Sequence, residues 1–272
     1  MGRVKAALAW LVCSAGCGFQ SAVPAGDAGQ AGDAAPDAAP EPAIDAPASG
    51  RTRAGLIALW EFDEAGGASV ADTAGRARPV LLTIKGSAVF TAGAMTPSPG
   101  TVIESAPSPH LNGDVTLARA VTLEAWVTPA LGEQGSVMKP VLVAGLSGSI
   151  KARNISLLQA SAVWVGRIRT SGDANGGPDL TSTVAATAGV LTHLVLVCDA
   201  SQRTLYVDGQ PAAIDPAPAA PLQWDNTYPM ELGAEHSGSA QWTGTFAMVA
   251  MYSRALGPEQ VLANYRAGAS AR

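Results

Sequence analysis

The densest group of side chains able to do acid–base chemistry is Glu61-Phe62-Asp63-Glu64. Glycoside hydrolysis needs two carboxyl groups flanking the scissile bond, ~5–5.5 Å apart for retention and ~6.5–9.5 Å for inversion. Charged residues make up only 14% of the chain, and no convincing second pair stands out. Glu61, Asp63 and Glu64 therefore read first as turn and edge residues. Sugar recognition has a different signature, an aromatic platform with amide and acid groups beside it in loops. Trp224-Asp225-Asn226, next to a proline-rich loop, has that composition, and Trp242 is a further candidate. Trp60, Trp126 and Trp164 lie within apolar runs and read as core. His110, His193 and His236 have no metal-ligand spacing. Cys198, with no local His and acid converging on it, reads as a small buried hydrophobe.

These groups must be carried by strands. Residues 191–198 form an apolar run, Asp199-Ala200-Ser201-Gln202 a turn, and 203–207 a second run that ends in Asp208-Gly209. Asp-Gly favours the left-handed backbone of a tight hairpin. Further short runs bounded by Gly, Pro, Asn or Asp recur at 56–62, 79–84, 87–90, 121–128, 141–145, 154–159, 162–169, 180–184, 230–233 and 244–252. Many short strands with frequent turn signals predict an all-β sandwich or barrel. Val121-Thr122-Leu123-Glu124-Ala125-Trp126-Val127 alternates, which predicts one inward face. Residues 194–198 are apolar throughout, as expected of a central strand covered on both sides. The one good helix signal lies at the end, with Pro258 in its first turn, apolar residues at helical spacing and Gly268 as its stop. The net charge of −5 argues against nucleic acid as a partner, since that affinity rests on Lys and Arg neutralising phosphates.

Four blocks in order resemble the laminin-G-like (concanavalin A-like) jelly roll. They are Leu59-Trp60-Glu61-Phe62-Asp63-Glu64 with Val70-Ala71-Asp72, the strand from Val121, the Thr192 to Gly209 hairpin, and Gly244-Thr245-Phe246 through Leu256 with the Pro258-Glu259-Gln260 helix. The resemblance implies a two-sheet antiparallel jelly-roll sandwich over 56–268, in a family that includes lectins, adhesion modules and some glycosidases. Laminarinase-type relatives carry their carboxylates as E-x-D-x-x-E on one strand. Glu61-Phe62-Asp63-Glu64 has other spacing and lies on the first strand, so no catalytic residue is assigned. Relatives also hold a structural calcium between the first loop and the last strand. Asp63 and Asp72 are the candidate ligands here, although Ala247 stands where the family's acid would be. Calcium wants six to eight oxygens. The expectation is a binding or adhesion module for a glycan or an extracellular protein, with a secreted glycosidase as the alternative.

The amino terminus reads as an address. Arg3 and Lys5 precede the apolar Ala6 to Val12, a signal-peptide pattern too short to span a membrane. Ser14-Ala15-Gly16-Cys17 resembles the lipobox of bacterial lipoproteins, with Cys17 as the lipidated residue. Outer-membrane or cell-surface display through a lipid anchor is one destination, and plain secretion the other. From 18 to 55 the chain is rich in Ala, Pro, Gly and Asp and poor in large apolar residues, which predicts a disordered tether. Its reach is between roughly 35 Å as coil and roughly 120 Å as polyproline helix. Labelling with a palmitate analogue checks the anchor: the native chain is expected to label and Cys17→Ala to lose the label, and equal labelling rules the anchor out.

Overall fold

Sixteen strands and two helices form among residues 50–170, 173–217 and 220–271, which are those the computed structural model describes. The expected signal over 1–17, Cys17 itself and most of the expected tether lie outside the described residues. β1 (Leu56–Trp60), β2 (Ser69–Val70), β3 (Leu82–Lys85), β4 (Ala88–Phe90), β5 (Met95–Pro97) and β6 (Val102–Ser105) precede α1 (Pro109–Ala118). β7 (Val121–Pro129), β8 (Val141–Ser149), β9 (Ala152–Ala160), β10 (Val163–Ile168) and β11 (Leu180–Ala185) follow. β12 (Thr192–Cys198), β13 (Arg203–Val207), β14 (Gln210–Asp215), β15 (Met230–Leu232) and β16 (Gly244–Tyr252) lead to α2 (Pro258–Ala267).

The strands pair into two antiparallel sheets, giving the expected sandwich with its short C-terminal helix. The first has the order β14-β13-β12-β7-β16-β5-β4, with β1 also on β16. The second has the order β11-β10-β9-β8-β15-β6-β3-β2. The predicted hairpins close as the sequence implies. Asp208 and Gly209 have φ of 50° and 74°, and Asp208 Oδ1 accepts a 2.9 Å hydrogen bond from the His193 amide. A Cβ on Gly209 would stand 3.0 Å from Tyr265 Cβ, so this turn also admits α2.

Val121, Leu123, Ala125 and Val127 of β7 point into the core between the sheets. The opposite face of β7 is buried too, contrary to the expectation of a single inward face. The physical reason is α2. Val261, Tyr265 and Leu256 pack on Trp126, Val195, Val197, Met248 and Tyr252 and cover the outer face of the first sheet. Trp126 stacks on His193 and Tyr265 at centroid distances of 4.7 and 5.7 Å.

Under this lid sits an ion. Glu124, fully buried, accepts from Arg51 Nη1 at 2.5 Å, His193 Nε2 at 2.8 Å, Asn264 Nδ2 at 2.9 Å and Tyr252 Oη at 3.1 Å. Arg51 Nη2 also donates to the Gly268 carbonyl, and the Thr52 amide donates to Asn264 Oδ1. The chain is therefore engaged from Arg51, upstream of Leu56.

α1 was not legible as a helix. Asn112-Gly113-Asp114 in its middle carries turn chemistry, yet Pro109 starts it and Leu111, Asn112 and Val115 are buried on it. β2, β5, β6 and β14 were not read either. β14 carries Pro211 on the edge of its sheet, where a missing amide donor is tolerated.

Burial by itself would raise the Glu124 carboxyl. The His193 hydrogen bond and the Arg51 charge reverse this and hold it at about 2, against an ordinary 4.5. Its contribution to stability is thus complete above pH 4.5 and is lost as the pH falls toward about 2. Urea unfolding across that range is expected to show a steep loss in the native chain and a flatter one in Glu124→Gln. The variant is expected to be less stable at neutral pH by about 3–5 kcal/mol, the usual cost of stranding a buried charge.

Candidate functional site

Two polar regions hold the carboxylates that bear on sugar chemistry. The first is the outer face of the second sheet. Met230 and Leu232 of β15 face the core, so Glu231 between them faces away. The registers align it with a row across the sheet: Arg167 on β10, Ser156 on β9, Gly145 on β8, Glu231 on β15, Glu104 on β6 and Thr83 on β3. The turn after β15 returns over this row and adds Glu235 and His236.

Each carboxylate in the group has a distinct environment. Glu235 accepts from Arg153 Nε at 2.9 Å and Nη2 at 2.5 Å, and from the Ser147 hydroxyl. Arg153 is held in turn by the Ile150 carbonyl and Asn175 Oδ1, both at 2.8 Å. Glu104 accepts from Lys85 Nζ and from His236 Nδ1 at 2.5 Å. Burial opposes ionisation of Glu104, but these hydrogen bonds and charges lower its pKa. Glu231 Oε1 accepts the His236 amide at 2.7 Å, while its Oε2 meets no donor. Burial and the neighbouring Glu235 charge push Glu231 up to about 9. At neutral pH Glu231 is therefore the acid, while Glu235 is held in its ion pair with Arg153. A proton on Glu231 supplies the missing hydrogen bond, to Glu235.

A neutral acid beside an ionised carboxylate is what a glycosidase requires. Access decides against that use here. Glu231 and Glu235 are both 0% exposed, and Glu235 is saturated by Arg153 and Ser147. A sugar ring has no path to their oxygens in this arrangement.

The second region is an open cleft of about 470 Å³ at one end of the first sheet. Glu61, Asp63, Thr128 and Thr245 give it carboxylates and hydroxyls, and the Ala92-Gly93-Ala94 turn and Ala247 form its apolar part. A shallower depression of about 280 Å³ continues it past Thr128 and Thr245. Phe62, at φ 53°, turns its ring into the core against Phe246 at 6.0 Å. Glu61 and Asp63 on either side of it face the cleft. Glu61 Oε2 accepts from Thr73 Oγ1 at 2.6 Å, and Thr96 and Thr245 share a hydrogen bond of 2.7 Å.

The sequence candidates fall as follows. Trp224 and Trp242 are buried, which corrects their reading as sugar platforms. Trp224 Nε1 donates to the Arg169 carbonyl at 2.9 Å. Trp242 Nε1 donates to Gln159 Oε1 at 2.7 Å, and its ring packs edge-on to Phe246. Asp225 caps its own loop by accepting from the amide and hydroxyl of Thr227, and Asn226 is exposed beside it. Asp72 does not join Asp63 at the cleft. Its two oxygens accept the amides of Leu59, Ala74 and Val80 at 2.9–3.0 Å, so it organises the first loop. Cys198 is buried, with its thiol pushed up to about 12 by desolvation. The cluster of Glu104, Glu231, Glu235 and His236 had no local sequence signal, because strand register assembles it.

A family described as the concanavalin A-like lectin/glucanases superfamily matches residues 105–262. No curated protein matches the chain. Among solved structures it is similar to Trypanosoma rangeli sialidase in complex with the inhibitor DANA. The identity is 18% and the TM-score 0.56, covering 78% of this chain and 33% of that one. It is similar too to the binding domain of botulinum neurotoxin DC in complex with rat synaptotagmin II, at 8% identity and TM-score 0.59, covering 78% and 51%. A third is botulinum neurotoxin type C, whose cell entry depends on interaction with two ganglioside molecules, at 6% identity and TM-score 0.58, covering 78% and 51%. The chain thus spans about a third of the sialidase and about half of the toxin chains. At these identities the likeness is one of fold.

Truncating a buried Trp costs about 3–5 kcal/mol, whereas an exposed platform Trp costs little. Trp242→Ala is expected to lower the free energy of unfolding in urea by that amount, and an unchanged stability would return Trp242 to the surface.

Proposed function

The chain belongs to the concanavalin A-like lectin/glucanases superfamily, and from that premise we propose that it is an exported recognition module that holds a glycan without hydrolysing it. The observation that carries the reading is the open cleft of Glu61, Asp63, Thr128 and Thr245. Its volume of about 470 Å³ lies within the range of small-ligand sites. Its carboxylates accept hydrogen bonds from sugar hydroxyls, and its threonines both donate and accept. The carboxyl pair fit for acid–base work, Glu231 and Glu235, is closed off at the other sheet. The sialidase neighbour has been seen with sialic acid and the type C toxin depends on gangliosides, which supports a glycan as the ligand class. Glu61 and Asp63 repel an anionic sugar, so the charge of the cleft favours a neutral glycan.

The amino-terminal pattern supports display outside the cell membrane. In this reading Cys17 carries the lipid and the Ala- and Pro-rich segment separates the domain from the membrane.

Binding of the purified chain to a glycan array, followed by calorimetry on the best neutral ligand, tests the proposal. Saturable binding is expected, weakened at least tenfold by Asp63→Ala and by Thr128→Ala, with no reducing sugar released. Absence of saturable binding, or sugar release abolished by Glu231→Gln, would overturn it.

A further inference from the structure

The cluster on the second sheet has a property that the glycan reading leaves unused. One ligand atom each from Glu104, Glu231 and His236 lies within 4.8 Å of the other two. The three come from β6, β15 and the turn beyond β15. The cross-strand register Glu231 to Glu104 and the 2.7 Å hydrogen bond from the His236 amide to Glu231 hold them together. Glu231 is 0% exposed, yet its Oε2 meets no protein donor. An oxygen in that position forfeits its hydration, at a cost that only a proton or a cation removes. Neighbouring cations do not reach it: Arg153 is committed to Glu235, and Lys85 to Glu104. The His236 side chain is 62% exposed, so the cluster has an open side toward solvent.

We propose that Glu104, Glu231 and His236 form a binding site for a first-row divalent transition cation such as zinc. The donor set carries the choice of ion. Two carboxylate oxygens and one imidazole nitrogen suit zinc and its neighbours. Calcium and magnesium take oxygen ligands in greater number. Three protein ligands leave a coordination position open on the His236 side. To bind, Glu231 releases its proton to solvent, His236 Nδ1 stops donating to Glu104 and turns its lone pair to the ion with its proton moved to Nε2, and the exposed Lys85 ammonium withdraws into solvent. The ion neutralises the carboxylates in its place. It also ties the turn from Gly233 to Trp242 to the β6 side of the sheet, which in its absence rests on hydrogen bonds between Glu104, Glu231 and His236.

Titration calorimetry of the untagged full chain, stripped with chelator and titrated with zinc chloride, tests this directly, with calcium and magnesium chlorides as parallel titrants. One zinc per chain is expected at this site, with no comparable heat from calcium or magnesium and a rise in thermal midpoint on zinc addition. His236→Ala, a surface change that keeps the core, is expected to weaken the site at least tenfold and to abolish the midpoint shift. Glu104→Gln, checked for folding by circular dichroism, is expected to do the same. Zinc binding of equal affinity and stoichiometry in the native chain and in His236→Ala would overturn the proposal, as would the absence of stoichiometric binding in the native chain.

Discussion

A carboxylate with no access to water must find all its compensation inside the protein, and the first sheet is organised around one. Glu124 lies in the middle of β7, the strand between β12 and β16, and its oxygens draw partners from four places: Arg51 before β1, His193 on β12, Tyr252 on β16 and Asn264 on α2. None of these contacts is local in sequence. Each partner can satisfy the ion only if its own element is docked, so the ion makes the packing of the amino-terminal segment, two strands and the last helix mutually dependent. Stacking of Trp126 on His193 and Tyr265 then seals the site from water, which strengthens the same electrostatic interactions. A hydrophobic substitute would hold the layers together with less insistence on position.

The two sheets solve the problem of their outer faces differently. The first is capped by α2, and so its central strands read as continuous apolar runs with a single buried ion among them. The second has no helix over it among the described residues. Its outer face carries a polar row, and loops are hydrogen-bonded to the same sheet: the Leu142 amide donates to the Ala240 carbonyl, Arg153 to Asn175 Oδ1, and the His236 amide to Glu231 in the row itself. Burying charge under loops is costly unless each group is paired, and Glu235 with Arg153 meets that requirement. Glu231 meets it only with a proton or an ion. Four acids are buried among the described residues, Glu124 in the first sheet and Glu104, Glu231 and Glu235 at the second.

What was legible in the sequence is what neighbouring residues decide. The β12–β13 hairpin follows from apolar runs separated by Asp199, the turn after it from Asp208-Gly209, and α2 from Pro258 and Gly268. The sandwich follows from the number of such runs. α1 was hidden because Asn112, Gly113 and Asp114 favour turns, and only the burial of Leu111 and Val115 overrides them. The tryptophans misled for a related reason. A Trp in a polar loop is either a platform or a plug, and the side of the backbone it takes is set by distant partners, Arg169 for Trp224 and Gln159 for Trp242. The Glu104, Glu231 and His236 group was invisible for the same cause. Its members become neighbours only once β6 and β15 are in register.

The acids of the two sheets lie in contrasting environments. A general acid must be protonated at working pH and also touch the leaving oxygen, so burial that raises its pKa has to stop short of sealing it. Glu231 meets the first condition and fails the second. Glu61 and Asp63 stand in the opposite situation, facing an open cleft. Carboxylate oxygens lining an open cleft can accept hydrogen bonds from hydroxyl groups. The fold thus holds Glu231 and Glu235 away from solvent and opens Glu61 and Asp63 to it.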